Sequence, residues 1–104
     1  MGIEELIPKL IKRVEVILEY KGVKVTWLGH AAFRIEAADT VIYLDPFRIT
    51  DARRDGDIVV CSHDHYDHCS PEDIKKVIKE KGVIVAAPNC EAKLRGMRHE
   101  KILL

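Results

Sequence analysis

The sequence predicts an α/β protein in which a β-meander is followed by a βαβαβ arrangement. The first half contains β-branched segments, VKVTWLG, AAFRIEA and TVIYLD, separated by the turn pairs Lys21-Gly22 and Ala38-Asp39. The second half alternates apolar strand-like runs with helix signals, which is typical of parallel strands joined by right-handed crossovers. The 104 residues are enough for one small core, so residues 1–104 are predicted to form a single domain.

The amino-terminal segment carries two periodicities. Apolar residues between 3 and 14 recur at helical spacing, which predicts a helix over 3–13, with Pro8 near its start or at a kink. Alternation in the next residues predicts a strand over 14–20, although Ile17 breaks the pattern. One continuous helix through Tyr20 is the alternative.

The second half begins with DIVVCS at 57–62, a continuous apolar run that predicts a strand buried on both faces. Ser70 as N-cap and Pro71 at the first helical position predict a helix that ends at Lys81-Gly82. VIVAAP at 83–88 is a second buried strand. A short helix over 90–94, capped by Asn89, and a final strand in HEKILL complete the order.

Composition excludes several classes. Lysine plus arginine and aspartate plus glutamate are 17 each, so the net charge of zero argues against nucleic acid as a partner. No apolar run approaches the ~20 residues that span a bilayer, and MGIEELIPKL lacks the pattern of a signal peptide. Three irregularly spaced cysteines do not form a disulfide framework, which indicates a cytoplasmic setting.

The stretch SHDHYDHCSPEDI, at 62–74, offers four side chains of the kind that bind divalent metals. His63 and His65 point to the same side of an extended segment and can grip one ion. Asp67 and His68 lie further along the loop and can face a second ion, as in two-metal hydrolytic sites. The alternative is a polar loop leading into an N-cap, which does not account for four candidate ligands in six positions after a buried strand.

His63-x-His65-x-Asp67-His68 after an apolar strand resembles the signature of the metallo-β-lactamase superfamily. WLGHAAFRIE at 27–36 resembles the first strands of that fold, and VIYLDP at 41–46 resembles its strand ending in aspartate. The combination is similar to the branch of metal-dependent hydrolases that includes L-ascorbate-6-phosphate lactonase. The resemblance covers roughly residues 23–95.

The resemblance implies that His63 and His65 bind a first metal and that Asp67 and His68 bind a second. The expected cofactor is zinc, as one or two ions, with iron or manganese as alternatives. Asp67 is also the expected catalytic residue, since in members of the family with a single metal it would act on the nucleophilic water.

Two further residues receive roles from the same resemblance. Asp45 would orient the ligand loop by accepting hydrogen bonds, and His30 would lie near the site, either supporting the ligands or in contact with substrate. The implied reaction is attack of metal-bound hydroxide on an ester, lactone or phosphoester of a small molecule. The alternatives are a non-catalytic metal-binding or assembly module and a nucleic-acid phosphodiesterase.

The resemblance also concerns only the amino-terminal half of the family fold, in which two sheets pack face to face. The later ligands of the family have no counterpart here, and His99, at a predicted strand start, does not match them. One half alone exposes an inner sheet face, so we expect a homodimer or a second-half chain to cover it, unless the chain is a fragment. Trp27 is expected to pack in the core.

Overall fold

The computed structural model describes residues 16–104, so the predicted helix over 3–13 lies outside the described residues. Seven strands form one sheet in which their spatial order equals their order in the chain. The strands are β1 (Val16–Tyr20), β2 (Val23–Gly29), β3 (Ala32–Ala37), β4 (Thr40–Leu44), β5 (Gly56–Cys61), β6 (Ile78–Ala86) and β7 (Glu100–Leu103). The helices are α1 (Pro71–Val77) and α2 (Glu91–Leu94), the latter preceded by a 3-10 turn over Pro88–Cys90.

The sheet changes character at β4. Strands β1 to β4 pair antiparallel, whereas β4 to β7 pair parallel, which confirms the predicted meander followed by βαβαβ. Residues 16–20 form strand β1, so the alternative of one helix through Tyr20 is wrong.

One face of the sheet carries the core. Val59 and Cys61 on β5 and Ile84 and Ala86 on β6 are at most 2% exposed, and they pack in one cluster with helix residues such as Ile74. The opposite face is open. Ile58 and Val60 are only half-buried there, so the prediction that β5 is buried on both faces is wrong. Helices cover only one side of the parallel strands among the described residues.

Helix α1 begins as predicted and ends early. Ser70 is the N-cap, and its Oγ accepts a hydrogen bond from the Asp73 backbone N–H at 3.4 Å. The predicted end at Lys81-Gly82 is wrong, because Ile78 already pairs with Gly56 at the start of β6. Lys79 is held beside the strand by its Nζ, which lies 2.8 Å from Oδ1 of Asp57.

Gly82 is a point of close approach between strands rather than a helix cap. A Cβ atom at Gly82 would lie 2.8 Å from the carbonyl oxygen of Gly56. Asn89 likewise caps no helix: Cys90 is the N-cap of α2, and the Asn89 amide donates to Oδ1 of Asp64 at 3.3 Å.

A partly buried polar cluster ties the meander to the parallel strands. Arg34, which is 8% exposed, donates from Nη2 to Oδ2 of Asp55 at 2.6 Å. The Tyr43 hydroxyl donates to Oδ1 of the same carboxylate at 2.7 Å. Burial alone would raise the pKa of Asp55, but the hydrogen bonds from Tyr43 and Arg34 outweigh it and hold that pKa below its usual value. Burial, reinforced by Asp55, raises the pKa of Tyr43 to about 12.

Within residues 16–104, no helix combines the length and the apolar character that crossing a membrane requires.

Candidate metal centre

The candidate site lies where three strands end on the same edge of the sheet. β2 and β4 both pair antiparallel with β3, and β4 pairs parallel with β5, so the carboxyl ends of these three strands share one edge. His30 follows β2, Asp45 follows β4, and the histidine loop follows β5. His30 and Asp45 have φ angles of 53° and 42°, in the left-handed region that turns the chain sharply. The topology therefore brings these segments together, as expected for a parallel sheet.

Asp45 organises the loop. It is 7% exposed, and its Oδ1 accepts a hydrogen bond from the Ser62 backbone N–H at 2.7 Å. Its Oδ2 accepts from the Ser62 hydroxyl at 2.5 Å and lies 2.7 Å from Nδ1 of His68. A carboxylate only accepts, so Nδ1 of His68 carries the proton and Nε2 presents a lone pair.

Ser62 links Asp45 to His63 and thereby fixes the tautomer of that ring as well. Its Oγ lies 2.9 Å from Nδ1 of His63. Because the single hydroxyl proton is donated to Asp45, the imidazole Nδ1 must donate to Oγ. The Nε2 atom of His63 is therefore also left with a lone pair, the form in which imidazole binds a metal.

The histidine rings of the loop form a contiguous group. The ring centroids of His63 and His68 are 3.9 Å apart, and those of His63 and His65 are 4.7 Å apart and nearly perpendicular. The loop turns after His65, and hydrogen bonds to the His65 carbonyl close the turn. This carbonyl accepts from the backbone N–H groups of His68 and Cys69, both at 2.9 Å. The predicted ligation of one ion by His63 and His65 remains a prediction.

Asp67 contacts both His30 and His68. Nε2 of His30 lies 2.7 Å from Oδ2 of Asp67, while Oδ1 of Asp67 lies 3.7 Å from Nε2 of His68. Ligand atoms of these three residues all lie within 4.8 Å of one another. The hydrogen bond from His30 lowers the pKa of Asp67. Of the two roles expected for His30, this contact with a predicted ligand is compatible with support of the ligands, and contact with substrate stays a prediction.

Neighbouring side chains support the site from outside. The Asp64 carboxylate accepts from the Asn89 amide, and its backbone oxygen accepts from Lys93 Nζ. Trp27 Nε1 donates to the His30 carbonyl at 2.8 Å, and Phe47 packs against the His30 ring at a centroid distance of 5.5 Å. Trp27 is 44% exposed, so its expected place in the core is wrong. Its indole lies on the open face of the sheet.

Sequence reasoning missed two features of the site. Ser62 connects Asp45 to His63, and the only available signal was its position between the strand and the first histidine. The contact of His30 with Asp67 joins residues that are 37 positions apart, and no local sequence pattern predicts it. His99 takes no part: its Nε2 hydrogen-bonds the Lys79 carbonyl at 3.1 Å.

The described structure is thus a mixed α/β sheet with a histidine- and aspartate-rich loop at its carboxyl edge. Residues 24–102 match the family described as the beta-lactamase superfamily domain. This match covers well over half of the chain, so the chain belongs to the β-lactamase superfamily, which confirms the predicted resemblance.

Curated relatives share the same region. A "UPF0173 metal-dependent hydrolase" from Brucella anthropi is 39% identical over 74 residues, which is 62% of this chain and 31% of that protein. A protein of the same name from Rhizobium etli is 40% identical over 74 residues, with the same two coverages. The matched region of this chain therefore spans less than a third of the length of these relatives.

A solved structure shows the same fold. A protein from Parabacteroides distasonis, provisionally named a metal-dependent hydrolase, superposes with a TM-score of 0.65 at 23% identity. The similarity covers 86% of this chain and 42% of that one. At 23% identity this likeness establishes only that the two proteins share a fold. The shared part is less than half of the larger protein.

Proposed function

We propose that this chain carries part of the active site of a metal-dependent hydrolase. The observation that carries the proposal is the anchoring of two histidines through one carboxylate. Asp45 holds His68 directly and His63 through Ser62, so Nδ1 of each ring is engaged and Nε2 is left as the atom that can bind a metal. Histidines that bind metals usually donate their other ring N–H to such a partner, whereas a solvated polar loop needs no such arrangement.

The donor set fits a divalent metal of the zinc type. Imidazole nitrogens and carboxylate oxygens suit zinc, and they also suit iron and manganese. We propose His63, His65, Asp67 and His68 as the ligands, with zinc as the first choice of metal. When bound, the metal would supply Lewis-acid polarisation of the substrate and activation of water.

The residues of this chain would then have distinct roles. Asp67 would accept a hydrogen bond from the nucleophilic water and orient it, which makes it the proposed catalytic residue. Asp45 and Ser62 would keep the histidine rings in place without touching the substrate. His30 would restrain the Asp67 carboxylate through the contact of 2.7 Å.

The proposed substrate is a small-molecule ester, lactone or phosphoester. Relatives named metal-dependent hydrolases support hydrolysis in general, and the zero net charge gives no support for a polymeric nucleic-acid substrate. Three buried free thiols, Cys61, Cys69 and Cys90, support the proposed reducing, cytoplasmic setting.

The second candidate is a metal-binding module without turnover. Ligand atoms of His30, Asp67 and His68 lie within 4.8 Å of one another, an arrangement that supports metal binding without requiring turnover. The proposed ligands would then bind metal, and no substrate would be hydrolysed.

Metal content and hydrolysis separate these candidates. The purified chain would be dialysed, analysed for zinc, iron and manganese by mass spectrometry, and titrated with each metal by calorimetry. Activity would be measured with a generic phosphodiester and a lactone. His65→Ala should lose metal and activity, whereas His99→Ala should retain both, because His99 contacts Lys79 rather than the loop.

Metal binding without hydrolysis would favour the metal-binding module over the hydrolase. Absence of binding for all three metals in the folded protein would contradict both candidates.

A further inference from the structure

Three of the four proposed metal ligands, all except His65, are held by a side chain outside the ligand set. The His65 side chain is exposed, and its ring meets the ring of His63 edge-on at a centroid distance of 4.7 Å. Among residues 16–104, no side chain forms a hydrogen bond with the His65 ring. The restraints that the described structure places on this ligand therefore act on its backbone.

The peptide groups on both sides of His65 are held by hydrogen bonds. The carbonyl oxygen of Asp64, in the peptide that precedes His65, accepts from Nζ of Lys93. The carbonyl oxygen of His65 accepts from the backbone N–H groups of His68 and Cys69, both at 2.9 Å. A peptide group is planar, so these bonds fix the two planes that meet at the Cα atom of His65. The direction of the Cα–Cβ bond, and with it the reach of the imidazole, follows from those planes.

Asn89 attaches the same stretch of the loop a second time. Its Nδ2 atom donates to Oδ1 of Asp64 at 3.3 Å. Its own Oδ1 atom accepts from the Cys90 thiol at 3.8 Å, and Cys90 is 0% exposed. Asp64 is therefore attached at its backbone through Lys93 and at its side chain through Asn89.

The segment that carries Asn89 and Lys93 follows strand β6. Because β5 and β6 are parallel, this segment and the histidine loop lie at the same edge of the sheet. Residues four apart in a helical segment lie on one face. Cys90 and Leu94, both 0% exposed, form the buried face, and Asn89 and Lys93 form a neighbouring face that contacts Asp64. The core thus anchors the segment that reaches the loop.

We propose that Lys93, assisted by Asn89, is a positioning residue for His65. It acts through the peptide between Asp64 and His65 rather than on the metal or the substrate. The inference rests on the proposed function, since it takes His65 to be a metal ligand. It adds to that function a restraint that comes from outside the histidine loop.

The charge of Lys93 allows positioning to be told apart from simple electrostatics. An ammonium group close to a cation site repels the cation. If Lys93 acted only through its charge, its removal would tighten metal binding. If Lys93 positions His65, its removal weakens metal binding, so the two roles predict changes of opposite sign.

Lys93→Met retains the aliphatic stem and removes the donor. Its zinc affinity, measured by calorimetric titration of the purified chain, should fall about 10-fold, the lower end of the range for loss of a group that orients a ligand. Lys93→Arg keeps a donor and the charge and should restore most of the affinity. Asn89→Ala removes only the side-chain attachment of Asp64 and should cost less than Lys93→Met.

Arg95→Met is the matched control. Arg95 is the C-cap of α2 and carries the same charge as Lys93, but its Nη2 atom lies 3.4 Å from Oε1 of Glu91. This variant should bind zinc as the unaltered chain does. Lys93 and Arg95 are both exposed, so neither variant should change the thermal unfolding midpoint.

Nuclear magnetic resonance shows which ligand responds. In the zinc-loaded Lys93→Met variant the imidazole nitrogen signals of His65 should shift or broaden, while those of His68, which Asp45 holds, should stay. In the metal-free variant the backbone amide signal of His65 should change, because that amide belongs to the peptide that Lys93 holds. The metal-free comparison does not depend on metal binding.

Equal zinc affinity of Lys93→Met and the unaltered chain would overturn the proposal. Tighter binding by the variant would also overturn it, because Lys93 would then act as a repelling charge. Equal changes at His65 and His68 would indicate a general loosening of the loop and would contradict positioning of one ligand. If the unaltered chain binds no metal, the proposed function fails, and the metal-free amide signal alone then decides whether Lys93 holds the His65 peptide.

Discussion

Nε2 of His30 lies 2.7 Å from Oδ2 of Asp67, across 37 residues of sequence. This contact joins the turn after β2 to the histidine loop after β5. It leaves Oδ1 of Asp67 on the side of His68, at 3.7 Å from Nε2 of that ring. The carboxylate that we propose as ligand and catalytic group is therefore restrained by a residue outside its own loop.

His30→Ala should weaken metal binding about 10-fold, the lower end of the range for loss of a group that orients a ligand. The reason is that Asp67 loses its partner and samples more orientations. Competition with a coloured chelator would measure the affinity. His99→Ala is the control, and equal affinity of the His30 variant and the unaltered chain would refute the restraint.

Asp45→Asn should reduce metal affinity by roughly 10- to 100-fold. Asparagine retains the shape, but its amide nitrogen cannot accept a hydrogen bond. Either the Ser62 backbone N–H at Oδ1 or the two donors at Oδ2, the Ser62 hydroxyl and Nδ1 of His68, therefore lose their acceptor. Calorimetric titration would measure the loss. Asp51→Asn is the matched control because Asp51 is exposed and pairs with Arg53. If both variants bind metal equally well, Asp45 does not orient the ligands.

Ser62→Ala should affect His63 alone and therefore cost less than Asp45→Asn. The variant removes the hydroxyl between Asp45 and His63 but leaves the bond from Asp45 to His68 in place. Nuclear magnetic resonance of the imidazole nitrogens would show a changed tautomer ratio for His63 and an unchanged one for His68. A change confined to His68 would contradict the assigned direction of these hydrogen bonds.

Asp55→Asn should lower the free energy of unfolding at pH 7 by about 1–3 kcal/mol, because Arg34 and Tyr43 lose a charged acceptor. The folded-state pKa of Asp55 is below its unfolded value. Its contribution is therefore present above the unfolded pKa, about 3.9, and is lost as pH falls through the folded pKa.

Urea denaturation at a series of pH values would test the Asp55 prediction. The difference between Asp55→Asn and the unaltered chain should shrink toward acid pH. A difference that stays constant from neutral to strongly acidic pH would contradict the proposed role of the charge.

Gly82→Ala should destabilise the fold by about 1–3 kcal/mol, the usual cost of forcing extra volume into a packed site. Its Cβ would lie 2.8 Å from the Gly56 carbonyl oxygen, a backbone atom that cannot move freely. Gly96→Ala is the control because a Cβ there meets nothing within 4 Å. Thermal unfolding would compare them, and equal midpoints would show that β6 does not approach Gly56 this closely.

Local patterns were sufficient for the order of the elements and for the start of α1. Alternation predicted strand β1, and the Ser70-Pro71 pair predicted the helix start, because both depend on a few neighbouring residues. The histidine loop was likewise visible from its spacing. Metal binding by the four predicted ligands stays a prediction.

The tertiary structure decided what depends on distant residues. The end of α1 moved to Val77 because Ile78 pairs with Gly56. The placement of Trp27 on an open face followed from helices that cover only the other side of the sheet.

The site shows the same division between sequence and structure. By itself the sequence determined which side chains the loop offers, since ligand chemistry belongs to residue types. The resemblance placed Asp45 and His30 near that loop, and only the fold decided which atoms they contact there, because strand pairing brings together segments that are far apart in the chain.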